Sequence, residues 1–214
     1  MIIAKFIGVV VIGYLLGSIP FGVLIAKRKG IDVRQYGSGK IGTTNVLRTA
    51  GGKAAAMVFG LDLSKGLLAV VFAGLIIGRD YLVVGGYGLG MLIAQVMAAL
   101  AAIAGHNRSV FLKFQGGRGV ATFFGGLVAL CPVAAILGGE VFIIGSGLTR
   151  FASLASIAAV VSTYGILVPL TIVYGFPIEY LLYALIGTII IIVMHRGNIR
   201  RLMSGRERRL GDKA

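Results

Sequence analysis

The chain has 214 residues, 57% of them hydrophobic and 13% charged, with a mean hydropathy of +0.97. That is too little polar surface to coat a water-soluble globule, so lipid must be its main solvent. The formal charge of +14 would suggest nucleic acid in a soluble protein, but in a membrane protein basic residues fix orientation, and no nucleic-acid partner is expected.

The first apolar run, 2–26, is long enough to cross a bilayer, and its positive cluster Lys27-Arg28-Lys29 follows it, which argues against a cleaved signal peptide. Further runs span 54–77, 81–104, 151–174 and 178–194, each near the ~20 residues a crossing needs. Between the third and fourth lies 119–148, thirty residues that are almost entirely apolar, with Cys131-Pro132 near the middle. As one helix it would be ~45 Å long against a hydrocarbon core of ~30 Å. The lone cysteine, Cys131, forms no intrachain disulfide, and two histidines, His106 and His195, give no metal-ligand cluster.

Charge decides between one crossing and two. Segment 27–53 carries seven basic residues and one acid, segment 105–118 three basic and none acidic, and the tail from His195 seven basic and two acidic. All three belong on the cytoplasmic side. If 119–148 crossed once, Arg150 and the tail would land outside; crossing twice, as two short helices breaking near Pro132, returns both to the cytoplasm. The expectation is therefore an all-α, polytopic membrane protein of seven helices in a single domain, amino terminus outside and carboxyl terminus cytoplasmic. The glycines within the spans, such as Gly85-Gly86, Gly125-Gly126 and Gly138-Gly139, read as close helix packing.

Unusual polar residues gather in the three cytoplasmic segments. The first holds Gly37-Ser38-Gly39-Lys40-Ile41-Gly42-Thr43-Thr44-Asn45, followed by Arg48. Its opening is a literal G-x-G-x-x-G, but the dinucleotide motif needs a preceding strand and a βαβ unit, and here a membrane helix and a basic loop precede it. What remains is a glycine-freed backbone that can curl round an anion, neutral donors, and an arginine fork suited to phosphate; a solvated loop fits the composition equally well.

The second segment ends Gln115-Gly116-Gly117-Arg118-Gly119 and opens a helix, placing free N–H groups and a positive dipole end at the membrane surface. It reads as a second phosphate seat, or as a turn whose Lys113 and Arg118 bind lipid headgroups. His106 just before it reads as an interfacial histidine. In the third segment His195 meets water at the end of the last span and Asn198 lies one turn on, a face able to hold a phosphate or orient a hydroxyl, while Arg206, Arg208 and Arg209 read as lipid anchors. Inside the spans, Asp62 and Lys65 at i, i+3 suit an ion pair, functional or structural. Ser153 and Ser156 open the span after Arg150, where Ser153 suits a helix cap or a substrate contact.

In order and spacing, these segments resemble the PlsY family, the acyl-phosphate:glycerol-3-phosphate acyltransferases. The family's Gly-Ser-Gly-Asn-x-Gly-Ala-Thr-Asn-x-x-Arg is matched by 37–48 with Lys40 and Thr43 as departures. Its Phe-Lys-Gly-Gly-Lys-Gly-Val-Ala-Thr is matched by 114–122 with Gln115 and Arg118 in place of the lysines. Its His-Arg-x-Asn-Ile-x-Arg-Leu-x-x-Gly-x-Glu is matched throughout by 195–207. Similarity extends to 17–22, to 61–66 and to 153–156.

The resemblance implies transfer of a fatty acyl group from acyl phosphate to the sn-1 hydroxyl of glycerol 3-phosphate, giving lysophosphatidic acid and phosphate at the cytoplasmic face of the bacterial inner membrane. It implies membrane lipid as surroundings, no cofactor or metal, and an enzyme upstream that makes acyl phosphate. His195 and Ser38 are then expected at the chemistry, with Asn45, Arg48, Gly116, Gly117, Arg118, Gly119, Ser153 and Asn198 on substrate, and Asp62, Lys65 and Glu207 structural. An acyl phosphate is already activated, and no Ser-His-Asp triad is visible, so direct attack is expected. His195 or a substrate phosphate, with second pKa ~6, can take the hydroxyl proton. A transporter of a phosphorylated solute is the rival, with the same basic, glycine-lined mouths.

Overall fold

The structure, a computed structural model, describes residues 2–212. Two helices, α1 (Ile2–Ser18) and α2 (Phe21–Lys27), share the first apolar run, and the helical hydrogen bonding stops at Ile19-Pro20 because the proline ring has no N–H to continue it. A loop leads to the short α3 (Thr43–Ala50), and Gly51 at φ 87° turns the chain into α4 (Gly52–Ile77). Next come strands β1 (Leu82–Val84) and β2 (Tyr87–Leu89), then α5 (Met91–Asn107), α6 (Val120–Leu130), α7 (Pro132–Thr149), α8 (Ala152–Tyr174), α9 (Ile178–Met194) and α10 (Arg196–Met203).

Residues 81–90 were expected inside the third span. They form an antiparallel hairpin instead, pairing Leu82 with Leu89 and Val84 with Tyr87. The turn is Gly85-Gly86, both at positive φ (58° and 84°), a conformation glycine adopts without a steric penalty and one that matches hairpin twist. The packing role assigned to these two glycines is thereby corrected. The Pro20 break was likewise not anticipated.

The break near Pro132 is present: α6 ends at Leu130 and α7 begins with Pro132, a position where the missing N–H costs nothing. Gly138 of α7 lies against Phe124 of α6, and Phe142 shares a cavity wall with Val120 and Ala121. Such contacts across fourteen or more positions require α7 to fold back along α6 as a helical hairpin. α9 and α10 meet at 60°.

Helices pack α1 on α5, α4 on α5 and α6, and α7 on α8, with α9 against α5, α6 and α8. Small residues make this possible. A Cβ on Gly17 would strike the backbone of Ala102, and one on Gly66 the carbonyl of Thr122, so both pairs of helices touch backbone to backbone. The interior around Phe123, Leu127, Tyr183 and Ile191 is closed, with Phe123 and Tyr183 stacked at 5.2 Å and the Tyr183 hydroxyl donating to Phe123 O at 2.8 Å. Large apolar side chains such as Ile7, Leu75, Ile144 and Ile172 point outward, as lipid-facing positions should. Among the described residues, four segments are long and apolar enough to cross a membrane, the α1–α2 run, α4, α7 and α8, or five if the bent α9–α10 pair is one span, and α5 and α6 are shorter apolar helices.

Candidate functional site

The loop between α2 and α3 is built on one buried amide. Asn45, 2% exposed in the first turn of α3, donates from Nδ2 to the carbonyls of Val33 (2.8 Å), Tyr36 (3.1 Å) and Lys40 (2.9 Å), and its Oδ1 accepts the Ser38 N–H at 2.9 Å. Gly37 and Gly39 supply the positive φ values (61° and 67°) that let the loop curl round that side chain. All of the Asn45 hydrogen-bonding groups are thus engaged in shaping the loop that presents Ser38 and Lys40.

The second loop is pinned at its neck by pairing of Ser109 with Gln115 and by the Gly117 N–H donating to His106 O at 3.0 Å. Gly119, at φ 84°, starts α6, leaving the first N–H groups of that helix beside Arg118. His106 is buried, not interfacial, with its Nδ1 2.8 Å from Lys65 Nζ. Lys65 in turn pairs with Asp62 at 2.8 Å, the ion pair expected from their spacing.

At the α9–α10 bend, His195 is 1% exposed and its Nδ1 lies 2.8 Å from Ile191 O. A carbonyl only accepts, so Nδ1 carries the proton and Nε2 keeps its lone pair. Burial, then the nearby Arg118 charge, lowers its pKa to about 4. His195 is therefore a neutral acceptor at physiological pH.

Glu207 ties the tail down. It accepts from Ser153 Oγ (2.7 Å), Asn198 Nδ2 (2.5 Å) and Arg201 Nε (2.7 Å). Burial works to raise its carboxyl, but these three bonds outweigh it and hold the group below its ordinary value. Ser153 is not the cap of α8, whose N-terminal flank is Phe151 without a side-chain cap; its hydroxyl goes to Glu207. Beyond Glu207 the tail lies over α3 and α8. Arg48 Nη2 donates to the carbonyls of Arg208 and Arg209 at 3.2 Å each, the Arg150 carbonyl accepts the Leu210 N–H at 2.6 Å, and Arg209 stands over the Phe151 ring.

These segments enclose two connected spaces. The outer cavity, about 550 Å³, is walled by Ser38, Lys40, Arg48, Gly116, Arg118 and Asn198, together with Arg108, Arg196, Arg201, Glu207 and Arg208. The inner chamber, about 150 Å³, shares Ser38, Lys40, Arg48 and Arg118 with it, and continues past Thr43, Thr44, Gly119 and His195 to Val120, Ala121, Phe59 and Phe142. Phe59 is 46% exposed on the lipid-facing side, so an apolar wall runs from the polar site to the hydrocarbon. Seven cations against one carboxylate is a charge balance that calls for an anion. Its signature is that burial together with neighbouring positive charge lowers Lys40 and Arg48, and lowers Arg118 to about 10.

The sequence reading missed several contributors. Arg208, read as an anchor, lines the outer cavity, as do Arg196 and Arg201. Phe59 and Phe142 sit in apolar runs where nothing distinguishes them from lipid-facing neighbours. For Arg196 and Arg201 a signal existed: both lie within the third motif, beside His195 and Asn198.

Residues 7–205 match the family described as Glycerol-3-phosphate acyltransferase. The "Glycerol-3-phosphate acyltransferase 3" of Dehalococcoides mccartyi strain CBDB1 is 60% identical over 215 residues, covering 100% of both chains. The glycerol-3-phosphate acyltransferase of Halalkalibacterium halodurans is 41% identical over 94% of this chain and 93% of its own. Among solved structures, PlsY (YgiH), an integral membrane glycerol 3-phosphate acyltransferase, superposes in its glycerol 3-phosphate form with a TM-score of 0.83 at 38% identity, covering 96% of each chain. Its lysophosphatidic acid form gives 0.81 at the same identity, covering 96% of this chain and 95% of that one. With these matches running almost end to end over the segments that build the cavity, the chain belongs to the glycerol-3-phosphate acyltransferase family.

Proposed function

We propose that this protein transfers a fatty acyl group from acyl phosphate to the sn-1 hydroxyl of glycerol 3-phosphate. The observation that carries the reading is the cationic outer cavity opening, past His195, into an apolar chamber that reaches the lipid face. Two phosphates fit the charge, and an acyl chain fits the wall.

Arg118 and the N–H groups at Gly116 and Gly119 hold the acyl phosphate, on a loop that the Gly117 N–H pins to His106, and the chain runs along Val120, Ala121, Phe142 and Phe59. Ser38, Arg48 and Lys40 hold the glycerol phosphate, on a loop that Asn45 shapes. Asn198 and Ser153 act there through Glu207. His195 Nε2 accepts a hydrogen bond from the sn-1 hydroxyl and aims its oxygen at the acyl carbonyl carbon. The carbon–oxygen ester bond forms, the bond from the carbonyl carbon to the phosphate oxygen breaks, and inorganic phosphate leaves. With His195 lowered to about 4, a phosphate with second pKa ~6 is the stronger base, so as the oxygen attacks, its proton turns from Nε2 to the phosphate and is transferred there. The cations stabilise the negative charge that develops on the carbonyl oxygen and leaving group.

The membrane arrangement belongs to the same reading: seven crossings, with α6 and α7 as a short pair, the amino terminus outside, and the site at the cytoplasmic face of the bacterial inner membrane. Positive charge on 27–53, 105–118 and the tail supports it. The donor comes from an upstream acyl-phosphate-producing enzyme. Purified protein given acyl phosphate and glycerol 3-phosphate in detergent, without acyl-CoA or acyl carrier protein, is expected to yield lysophosphatidic acid. Solute flux in vesicles without chemistry would instead establish a transporter.

A further inference from the structure

The proposed chemistry leaves unused a cluster of three charged or ionisable side chains buried beside the site. Asp62 and Lys65 of α4 and His106 of α5 are each no more than 3% exposed. Lys65 Nζ lies 2.8 Å from Asp62 Oδ1 and 2.8 Å from His106 Nδ1, and that nitrogen lies 3.6 Å from Asp62 Oδ1. An ammonium only donates, so Nδ1 of His106 accepts and its proton sits on Nε2. Burying an ion pair costs several kcal/mol in desolvation per ion, and apolar residues of like volume often stabilise a fold as well. Stability alone therefore does not account for the cluster, and its contacts show what else it does.

It bridges two irregular places in the chain. On one side Lys65 Nζ donates to Ile19 O at 3.3 Å, beside the Pro20 break, and the neighbouring Ser18 carbonyl accepts from Ser109 Oγ at 2.6 Å. On the other, His106 supports the second loop: its carbonyl accepts the Gly117 N–H, and its Nε2 lies so close under Gly117 that a Cβ there would collide with the ring. A Cβ on Gly116 would likewise strike the His106 carbonyl. The loop rests on the histidine, and the buried ion pair holds the histidine.

We propose that Asp62, Lys65 and His106 are positioning residues for the acyl-phosphate seat, fixing Gly116 and Gly117 so that Arg118 and the start of α6 face the donor; this rests on the reading that the seat takes acyl phosphate. The test uses the full chain in detergent, with KM for each substrate and kcat measured beside the folded fraction by gel filtration. The double variant Asp62→Asn/Lys65→Met leaves no orphaned charge. It is expected to stay folded yet to raise KM for acyl phosphate or lower kcat about 10- to 100-fold, while KM for glycerol 3-phosphate changes little.

Gly117→Ala is expected to be inactive, and adding His106→Ala, which removes the colliding ring, to restore part of its turnover. Wild-type constants in the double variant, losses that merely follow the folded fraction, or no rescue of Gly117→Ala overturn the proposal. Failure of the underlying reading is separate: wild-type protein would not use acyl phosphate, or Arg118→Gln would raise KM for glycerol 3-phosphate alone.

Discussion

Replacing Asn45 by alanine removes four polar contacts of 2.8 to 3.1 Å, three of them sharing the two Nδ2 hydrogens, from a side chain only 2% exposed. A neutral bond contributes about 1 kcal/mol net, so the four give an upper figure of about 4 kcal/mol. Lys40 and Ser38 border the open cavity and can recover water, which reduces the loss to about 2–3 kcal/mol, or roughly 30- to 150-fold in loop population. The effect should fall on glycerol 3-phosphate, because the loop presents Ser38 and Lys40: KM for that substrate rises by about this factor, with a smaller change for acyl phosphate. Asn45→Asp should be worse than alanine, since it turns an acceptor toward three carbonyls and keeps only the bond to the Ser38 N–H. Steady-state kinetics with each substrate varied, together with thermal unfolding in detergent, make the measurement. If Asn45→Ala keeps wild-type constants, or Asn45→Asp is the milder change, the amide is not the loop's organiser.

Replacing His195 by asparagine is expected to lower turnover about 10- to 100-fold, short of abolishing it, and the residual rate should keep an acid limb near the second phosphate pKa of ~6; complete loss with intact substrate binding would make the histidine itself the base. The same variant tests linkage. A base lowered from its ordinary value to about 4 adds stability that is full above pH ~6.5 and declines as pH falls toward 4, so the variant should show a flatter stability profile across that window. Glu207→Gln keeps the shape but sets an amide against Arg201, and should cost about 10-fold or more in kcat/KM while removing the stability that wild type loses as pH drops through the depressed carboxyl pKa; chemical unfolding at pH 4 and 7 reads it. Gly66→Val should prevent α4 from meeting α6 and abolish folded, monodisperse protein on gel filtration.

Much of the site could be read from the chain because its anion-binding chemistry is local. Gly37 to Arg48, Gln115 to Gly119 and His195 to Glu207 each bring glycine, donors and cations together within a dozen or so residues, and all three wall the same cavity. Asp62 and Lys65 were legible for the same reason, being one helical turn apart. The Cys131-Pro132 break was legible from the length of the apolar run, the proline within it and the positive charge beyond it. Roles that depend on distant partners were not: Ser153 meets Glu207 from 54 positions away, and His106 meets Lys65 from 41. The hairpin at 82–89 escaped because valine, leucine and tyrosine serve a strand as well as a lipid-facing helix, and only the paired glycines mark the turn. The loop-organising role of Asn45 was hidden as well, because its bond to Val33 spans twelve positions and nothing in the local sequence marks it.

The clamp on Glu207 also sets when activity can begin. A chain synthesised only as far as α9 has Arg48, Arg118 and the aromatic wall in place, but neither Asn198 nor the carboxylate that draws the tail across α8. Because the last link closes on Ser153 at the start of α8, the wall that Asn198, Arg201 and Glu207 contribute is complete only when the chain has been made through Glu207.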